Sequence, residues 1–188
     1  MRGGYRHTMF FGLGLGRSFR SIIRVSLLCL IGTLVWSGLE HASASLASVD
    51  TVVVIKSKRL LLLLKDGEIF KTYRVSLGKR PEGHKIASGD QRTPEGRYIL
   101  DAKNPKSKYY LAIHISYPNE LDIINAQKRG VSPGGEIMIH GLPPKRSNEL
   151  KELNGYADWT NGCIALTNPE MEEIWQFVNA GTPIEIKP

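Results

Sequence analysis

The chain is poor in cysteine. Its 188 residues hold two, Cys29 and Cys163. Cys29 falls in a basic and apolar N-terminal stretch, so the rest of the chain carries a single thiol. One cysteine cannot build an intrachain disulfide framework. Histidine is scarce as well: after residue 44 there are only His84, His114 and His140. Three scattered histidines and one cysteine show no metal-ligand spacing, so neither a metal nor any other cofactor is expected. Acidic residues are almost missing from residues 1–44, where Glu40 stands against five arginines. No apolar run reaches the ~20 residues needed to cross a bilayer. Internal repeats and long low-complexity stretches are absent too.

The N-terminal stretch has its own plan. Arg2 to Arg24 is basic, "VSLLCLIGTLVW" (Val25 to Trp36) is apolar, and "HASASLAS" follows with Ala42-Ser43-Ala44 as an A-x-A pattern. Basic, apolar, then small is the order of a secretory signal peptide, here residues 1–44. The alternative is an uncleaved anchor, and membrane contact is expected only in that case. Cys29 lies inside the apolar run and leaves with the peptide. Residues 45–50 form a short tether, and 51–188 form the domain. Export places the protein in the periplasm or cell envelope.

Removing the leader changes the charge. The whole chain has 25 basic and 18 acidic residues, a net of +7. Residues 1–44 hold five basic and one acidic, so 20 basic and 17 acidic remain, a net of +3. That is too mild to argue for nucleic acid, and none is expected as a partner. About 144 residues are enough for one sizeable core, and a monomer is expected.

Along the domain, "TVVVIKSKRLLLLLKDGEIFKTYRVSLGK" breaks into strands near 51–56, 59–65 and 68–77. Asp66-Gly67 between apolar runs is a hairpin signal. "LGKRPEGHKIASGDQRTPEGRYIL" is rich in Gly, Pro and charge and is largely loop. Strands are expected at 97–102, 109–116 and 137–140. "NELDIINAQKRG" suggests a short helix capped by Asn119, with Leu121, Ile124 and Ala126 as its apolar residues. A helical turn is expected near Ser147 to Leu153. "NPEMEEIWQFVNAG" is the best helix, with Asn168 as cap, Pro169 at the first position and Met171, Ile174, Trp175 and Val178 on one apolar face. "TPIEIKP" closes as a strand. The fold class is mainly β with a few helices.

Cys163 is then the residue to explain. An exported solitary thiol is exposed to oxidation, yet a buried inert cysteine is the commoner case. Reactivity needs conditions that favour the thiolate. Gly162 lets the backbone bend and present the sulfur, and neighbouring N–H groups could form an oxyanion hole. Among the histidines, His84 sits in a charged loop and is expected to be solvated, and His114 alternates within a strand. His140 ends an apolar strand just before Gly141, where a buried imidazole can meet a loop.

"IHG" (Ile139 to Gly141), followed about twenty residues later by "TNGCIAL" (Thr160 to Leu166), resembles the signature of the L,D-transpeptidase (YkuD-like) catalytic domain. "GDQRTPEGRY" (Gly89 to Tyr98) resembles that family's upstream Thr-Pro-x-Gly segment. The likeness runs from about Thr51 to the C-terminus. It implies an L,D-transpeptidase-like β-sandwich or mixed-sheet domain acting on peptidoglycan stem peptides. Cys163 would be the nucleophile and His140 the base. The Gly141 carbonyl would orient the imidazole, and the backbone near Gly162 would meet the oxyanion. Two departures stand out. Asn161 and Ala165 occupy positions where many members have His and Arg or Asn. "TNGC" with Ala165 resembles an offshoot that includes hydrolytic amidases, so hydrolysis rivals cross-linking. Arg92 could contact a substrate carboxylate, and Trp159, Thr160 and Asn161 are further candidates for substrate binding. A noncatalytic wall-binding domain with an inert Cys163 is the remaining alternative.

Overall fold

The computed structural model describes residues 48–188. The signal segment and the first half of the tether lie outside the described residues, and so does Cys29. No helix among the described residues is long and apolar enough to cross a membrane.

The first half of the domain is a meander of short strands. β1 (Thr51–Ile55) and β2 (Leu60–Lys65) pair antiparallel. The five-leucine run is a strand, as its length demands. Its side chains alternate, with Leu61 and Leu63 fully buried and Leu60, Leu62 and Leu64 at the rim. Asp66 and Gly67, with φ of 53° and 80°, turn β2 into β3 (Glu68–Arg74). Two successive positive φ values are what a tight two-residue hairpin requires. β4 (Gly96–Ser107) is twelve residues long and pairs with β5 (Tyr110–Ile115). It extends past the expected 97–102 because "KNPKSK" stays in the ladder, accommodated by register shifts around Pro105. α1 (Glu120–Lys128) follows, then β6 (Met138–His140), α2 (Ser147–Leu153), β7 (Ile164–Ala165), α3 (Asn168–Phe177) and β8 (Thr182–Lys187).

All eight strands form one mixed sheet in the order β3-β2-β1-β8-β4-β5-β6-β7. The β1–β8 and β6–β7 pairs are parallel and the rest antiparallel. The sheet curls until its two end strands are linked. Beyond β3, Ser76 exchanges both backbone hydrogen bonds with Ala165 of β7, at 3.0 and 2.8 Å. Leu77 and Lys79 bracket Thr160 in the same way, at 3.1 and 3.0 Å. Both otherwise open edges are thereby partly paired. Inside the curl sit Val52, Val54, Leu61, Leu63, Leu77, Leu100, Ile113, Ile139 and Ile164, all fully buried. Each such side chain contributes on the order of 2 kcal/mol by leaving water.

Both long helices depart in detail from the sequence pattern. In α1, Asn119 and Asp122 form the reciprocal cap, side chain to backbone in each direction, at 3.0 and 3.1 Å. Of the apolar residues that suggested a face only Ala126 is buried, whereas Leu121 is 68% exposed. In α3 the cap is Thr167, not Asn168: the backbone N–H and hydroxyl of Thr167 both donate to Glu170. The Asn168 side chain instead reaches back to accept from the Leu142 N–H at 2.7 Å. The apolar face of α3 is as expected, with Met171, Ile174 and Val178 fully buried.

Candidate active site

Cys163 sits where the chain leaves a tight turn and enters β7, between β6 on one side and residues 76–79 on the other. Thr160 braces the turn from inside. Its hydroxyl donates to the Cys163 carbonyl at 2.7 Å and accepts from the Gly162 N–H at 3.0 Å. Gly162 has φ of 133°, a region L side chains rarely adopt, and a Cβ there would stand 2.7 Å from the Arg92 carbonyl oxygen. Gly78 is equally tight: a Cβ on it would meet the Gln91 carbonyl oxygen at 2.2 Å and the Gly162 Cα at 3.1 Å. Two glycines therefore let the 89–93 loop press directly on the turn that carries Cys163.

His140 ends β6. Ile139 pairs in register with Ile164, and His140 with Ala165. One step earlier Cys163 stands beside Met138. Side chains two apart on a strand share a face, so Cys163 and His140 project to the same side of the β6–β7 ladder. The His140 Nδ1 lies 2.7 Å from the Gly141 carbonyl oxygen. A carbonyl only accepts, so Nδ1 carries the hydrogen and Nε2 keeps its lone pair. Gly141 is itself wedged in: a Cβ on it would lie 2.6 Å from Asn168 Oδ1. Tyr109 packs over the imidazole with ring centroids 4.5 Å apart, and Trp159 stands at 5.8 Å.

The electrostatics of the pair follow from burial. His140 is 3% exposed. Loss of water pushes its pKa down to about 4, against a smaller upward pull from the Gly141 carbonyl. Burial likewise pushes the Cys163 thiol above its ordinary value, with the Glu136 carboxylate adding to the rise. A backbone hydrogen bond from Met138 and the Lys85 ammonium work the other way. At neutral pH both groups are therefore uncharged. The thiol donates to the Glu136 carbonyl at 3.5 Å, and Glu136 holds φ of 56°. A neutral imidazole and a neutral thiol thus line the same cavity.

Two depressions meet at the sulfur. One, of about 570 Å³, is lined by His140, Tyr109, Trp159, Lys79, Lys108 and Arg146. The other, of about 480 Å³, lies towards Lys85, Ser88, Gln91 and Gly134. Glu136, Asn161 and Cys163 line both.

The structure thus brings together Cys163, His140, Gly141, Gly162, Thr160, Asn161 and Trp159. It corrects several of the details. The Gly162 N–H is occupied by Thr160, so Gly162 serves the turn through its backbone conformation and missing side chain, not as an oxyanion donor. The Thr160 hydroxyl is engaged within the turn at both donor and acceptor, which leaves it a bracing role in place of substrate contact. Arg92 presses its carbonyl on the turn at Gly162. Its guanidinium lies near the His84 carbonyl at 3.4 Å and lines a separate depression with Lys79, Arg80 and Glu82. His84 is not a solvated loop residue: both ring nitrogens are bonded, Nδ1 to the Glu95 N–H and Nε2 to Asp122, each at 2.9 Å. Sequence reasoning missed Tyr109, Glu136, Lys85 and Asn168. Of these only Lys85 carried a signal, as a charge inside the "GHKIASGD" loop. Among the described residues no group of three or more His, Cys, Asp or Glu side chains could hold a metal ion.

Comparison with known proteins matches residues 49–186 to the YkuD model, the L,D-transpeptidase catalytic domain. The chain belongs to this family. YafK of Escherichia coli (strain K12), named as an L,D-transpeptidase, is 30% identical over 145 residues, which cover 74% of this chain and 51% of YafK. The chain thus spans about half the length of that curated relative. Among solved structures, the helical cell shape determining protein Pgp2 from Campylobacter jejuni superposes with a TM-score of 0.57 at 31% identity, over 76% of this chain and 49% of Pgp2. Bd1075 from Bdellovibrio bacteriovorus gives 0.51 at 25% identity, over 74% and 48%. An L,D-transpeptidase from Mycobacterium smegmatis, at 20% identity and 0.51, shares the fold.

Proposed function

We propose that this L,D-transpeptidase family domain is an exported cell-envelope enzyme that acylates Cys163 with a peptidoglycan stem peptide and passes the acyl group to an amine. The observation that carries this reading is the tautomer of His140. Its Nδ1–H is fixed on the Gly141 carbonyl, which leaves Nε2 as a base on the same ladder face as the Cys163 sulfur.

The steps follow from the resting geometry. The thiol turns from the Glu136 carbonyl towards His140, and Nε2 takes its proton as sulfur attacks the carbonyl carbon joining an L-centre to a D-residue. The Cys163 N–H is the proposed donor to the oxyanion, a contribution of about 3 kcal/mol to the barrier for one such group. Collapse breaks the C–N bond, and the imidazolium returns its proton to the leaving amine. The thioester is then attacked by an acceptor amine, whose proton passes to Nε2 and back to the departing sulfur. Water in place of the amine gives an L,D-amidase or carboxypeptidase. Ala165 favours that second reading: it is fully buried between Ser76 and His140, so its position supplies no polar group to hold an acceptor.

Incubation with defined muropeptides, read by mass spectrometry, separates the two. Cross-linked dimer without shortened monomer sinks hydrolysis, and shortened monomer alone sinks cross-linking. Cys163→Ala is expected to abolish either product and the covalent adduct with it. Product formation by that variant would overturn the assignment of the nucleophile.

A further inference from the structure

The tautomer of His140 hangs on one peptide group, that between Gly141 and Leu142. Its carbonyl takes the hydrogen of His140 Nδ1 at 2.7 Å, and its N–H donates to Asn168 Oδ1 at 2.7 Å. The C=O and N–H of a trans peptide point to opposite sides of one rigid plane. Whatever fixes one end therefore fixes the other. If the plane turned over, an N–H would face Nδ1. The ring would then accept at Nδ1 and carry its hydrogen on Nε2, with no lone pair left there.

Gly141 is required at this place, and it leaves the plane free to turn. A Cβ at 141 would stand 2.6 Å from Asn168 Oδ1, 3.1 Å from the Tyr109 carbonyl oxygen and 3.2 Å from Tyr110 Cβ. Only glycine fits that slot, and glycine puts little steric restraint on rotation of the peptide that follows it. The restraint has to come from the walls. One wall is Asn168, the first residue of α3, which the Thr167–Glu170 cap and the buried Met171 and Ile174 hold in place. The other wall is tied to the same helix, where the Tyr110 hydroxyl donates to Glu172. Leu142 is only 2% exposed, which leaves its N–H dependent on a protein acceptor. Thr167 already caps α3, so the Asn168 amide has no capping duty there. We infer that Asn168 is a positioning residue for the base: it clamps the 141–142 peptide and thereby sets the tautomer of His140. The consequence for acylation rests on the reading of His140 as the base given above.

Ring nitrogens of isotope-labelled histidine report the tautomer by nitrogen NMR without any substrate, because a bare nitrogen and one that carries hydrogen resonate far apart. At neutral pH His140, assigned by the loss of its signals in His140→Gln, is expected to show hydrogen on Nδ1 and a bare Nε2. Asn168→Leu keeps the shape of the side chain and removes the acceptor. It is expected to mix the two tautomers and to slow acylation about tenfold at unchanged KM, the range of one lost hydrogen bond. Asn168→Asp keeps an oxygen acceptor and is expected to hold the original tautomer. Hydrogen on Nε2 in the unaltered protein overturns the inference whether or not any variant folds. A folded Asn168→Leu protein that keeps hydrogen on Nδ1 overturns it too, even if acylation slows, and assigns Asn168 to packing. A tautomer that changes in that variant while acylation does not leaves the clamp standing and overturns the reading of His140 as the base.

Discussion

Two histidines of this chain each make a hydrogen bond at Nδ1, and the two bonds run in opposite directions. In His140 the nitrogen donates to a carbonyl, that of Gly141. In His84 it accepts from the Glu95 N–H. The direction decides the rest. His140 is left with a basic Nε2 on a wall of the cavity that also holds Cys163. His84 carries its hydrogen on Nε2 and gives it to Asp122, a carboxylate that also accepts from Tyr98 and from the Asn119 N–H. One ring keeps Nε2 without a hydrogen-bond partner among the described residues. The other is a clasp between the 79–95 loop and α1 with no nitrogen to spare. The lone pair that the hydrogen bonds leave is what separates the two rings.

Exchanging the rings for glutamine should separate these roles most sharply. His140→Gln keeps a polar side chain of similar size but removes the base, and acylation is expected to fall by about a thousandfold. Stopped acylation assays with matched thermal melts check this: a variant that unfolds, or one that stays within tenfold of the original rate, breaks the contrast.

The next effect is on stability and depends on pH. The folded protein holds the His140 pKa at about 4, below the ordinary 6.5, so it binds that proton less readily than the unfolded chain does. The stabilisation is complete above pH 6.5 and is lost as pH falls through the window down to about 4, by at most roughly 3 kcal/mol. Denaturant unfolding at stepped pH should show this loss, and His140→Gln should remove it. The same pKa places the acid limb of kcat/KM near pH 4. A limb near 6.5 would mean that the imidazole is not desolvated in the working enzyme.

The smallest effect belongs to the clasp. His84→Gln offers an acceptor and a donor but on a flexible amide, not along the diverging directions of the two ring nitrogens, and is expected to cost about 1–2 kcal/mol of stability. Acylation under conditions where the variant is folded should stay within about threefold. A loss of rate comparable to that of the His140 variant would show that the two regions are not distinct.

Much of the frame was legible residue by residue. Asp66-Gly67 marked the first hairpin because few other pairs tolerate two positive φ values. The Met171, Ile174, Val178 spacing marked α3. His140-Gly141 and Thr160-x-Gly162-Cys163 together marked the site. What escaped lies in contacts between segments remote in sequence. Asn168 looked like a helix cap because its type and place suit one, but Thr167 has the partner Glu170, and Asn168 is drawn to the loop after His140. Arg92 looked available because loop arginines usually are, and the curl of the sheet turns it to another depression. Lys85 is one of many charges in a stretch read only as loop, and the fold encloses it with Asp90 and the Ala87 carbonyl.

The residues alone determined which chemistry was available: one thiol after a glycine, one histidine at a strand end, no metal set, and turns that local backbone preferences enforce. Such features depend on neighbours a few positions apart, where the chain's own geometry decides. Tertiary structure decided the state of that chemistry. Burial makes the thiol and the imidazole neutral, Gly141 selects the tautomer, Thr160 occupies the Gly162 N–H, and the closing of residues 76–79, beyond β3, against β7 and Thr160 sets Cys163 between two depressions of different charge. Protonation and hydrogen-bond occupancy depend on how much water remains and on which distant group arrives, and both are settled only when the sheet has curled.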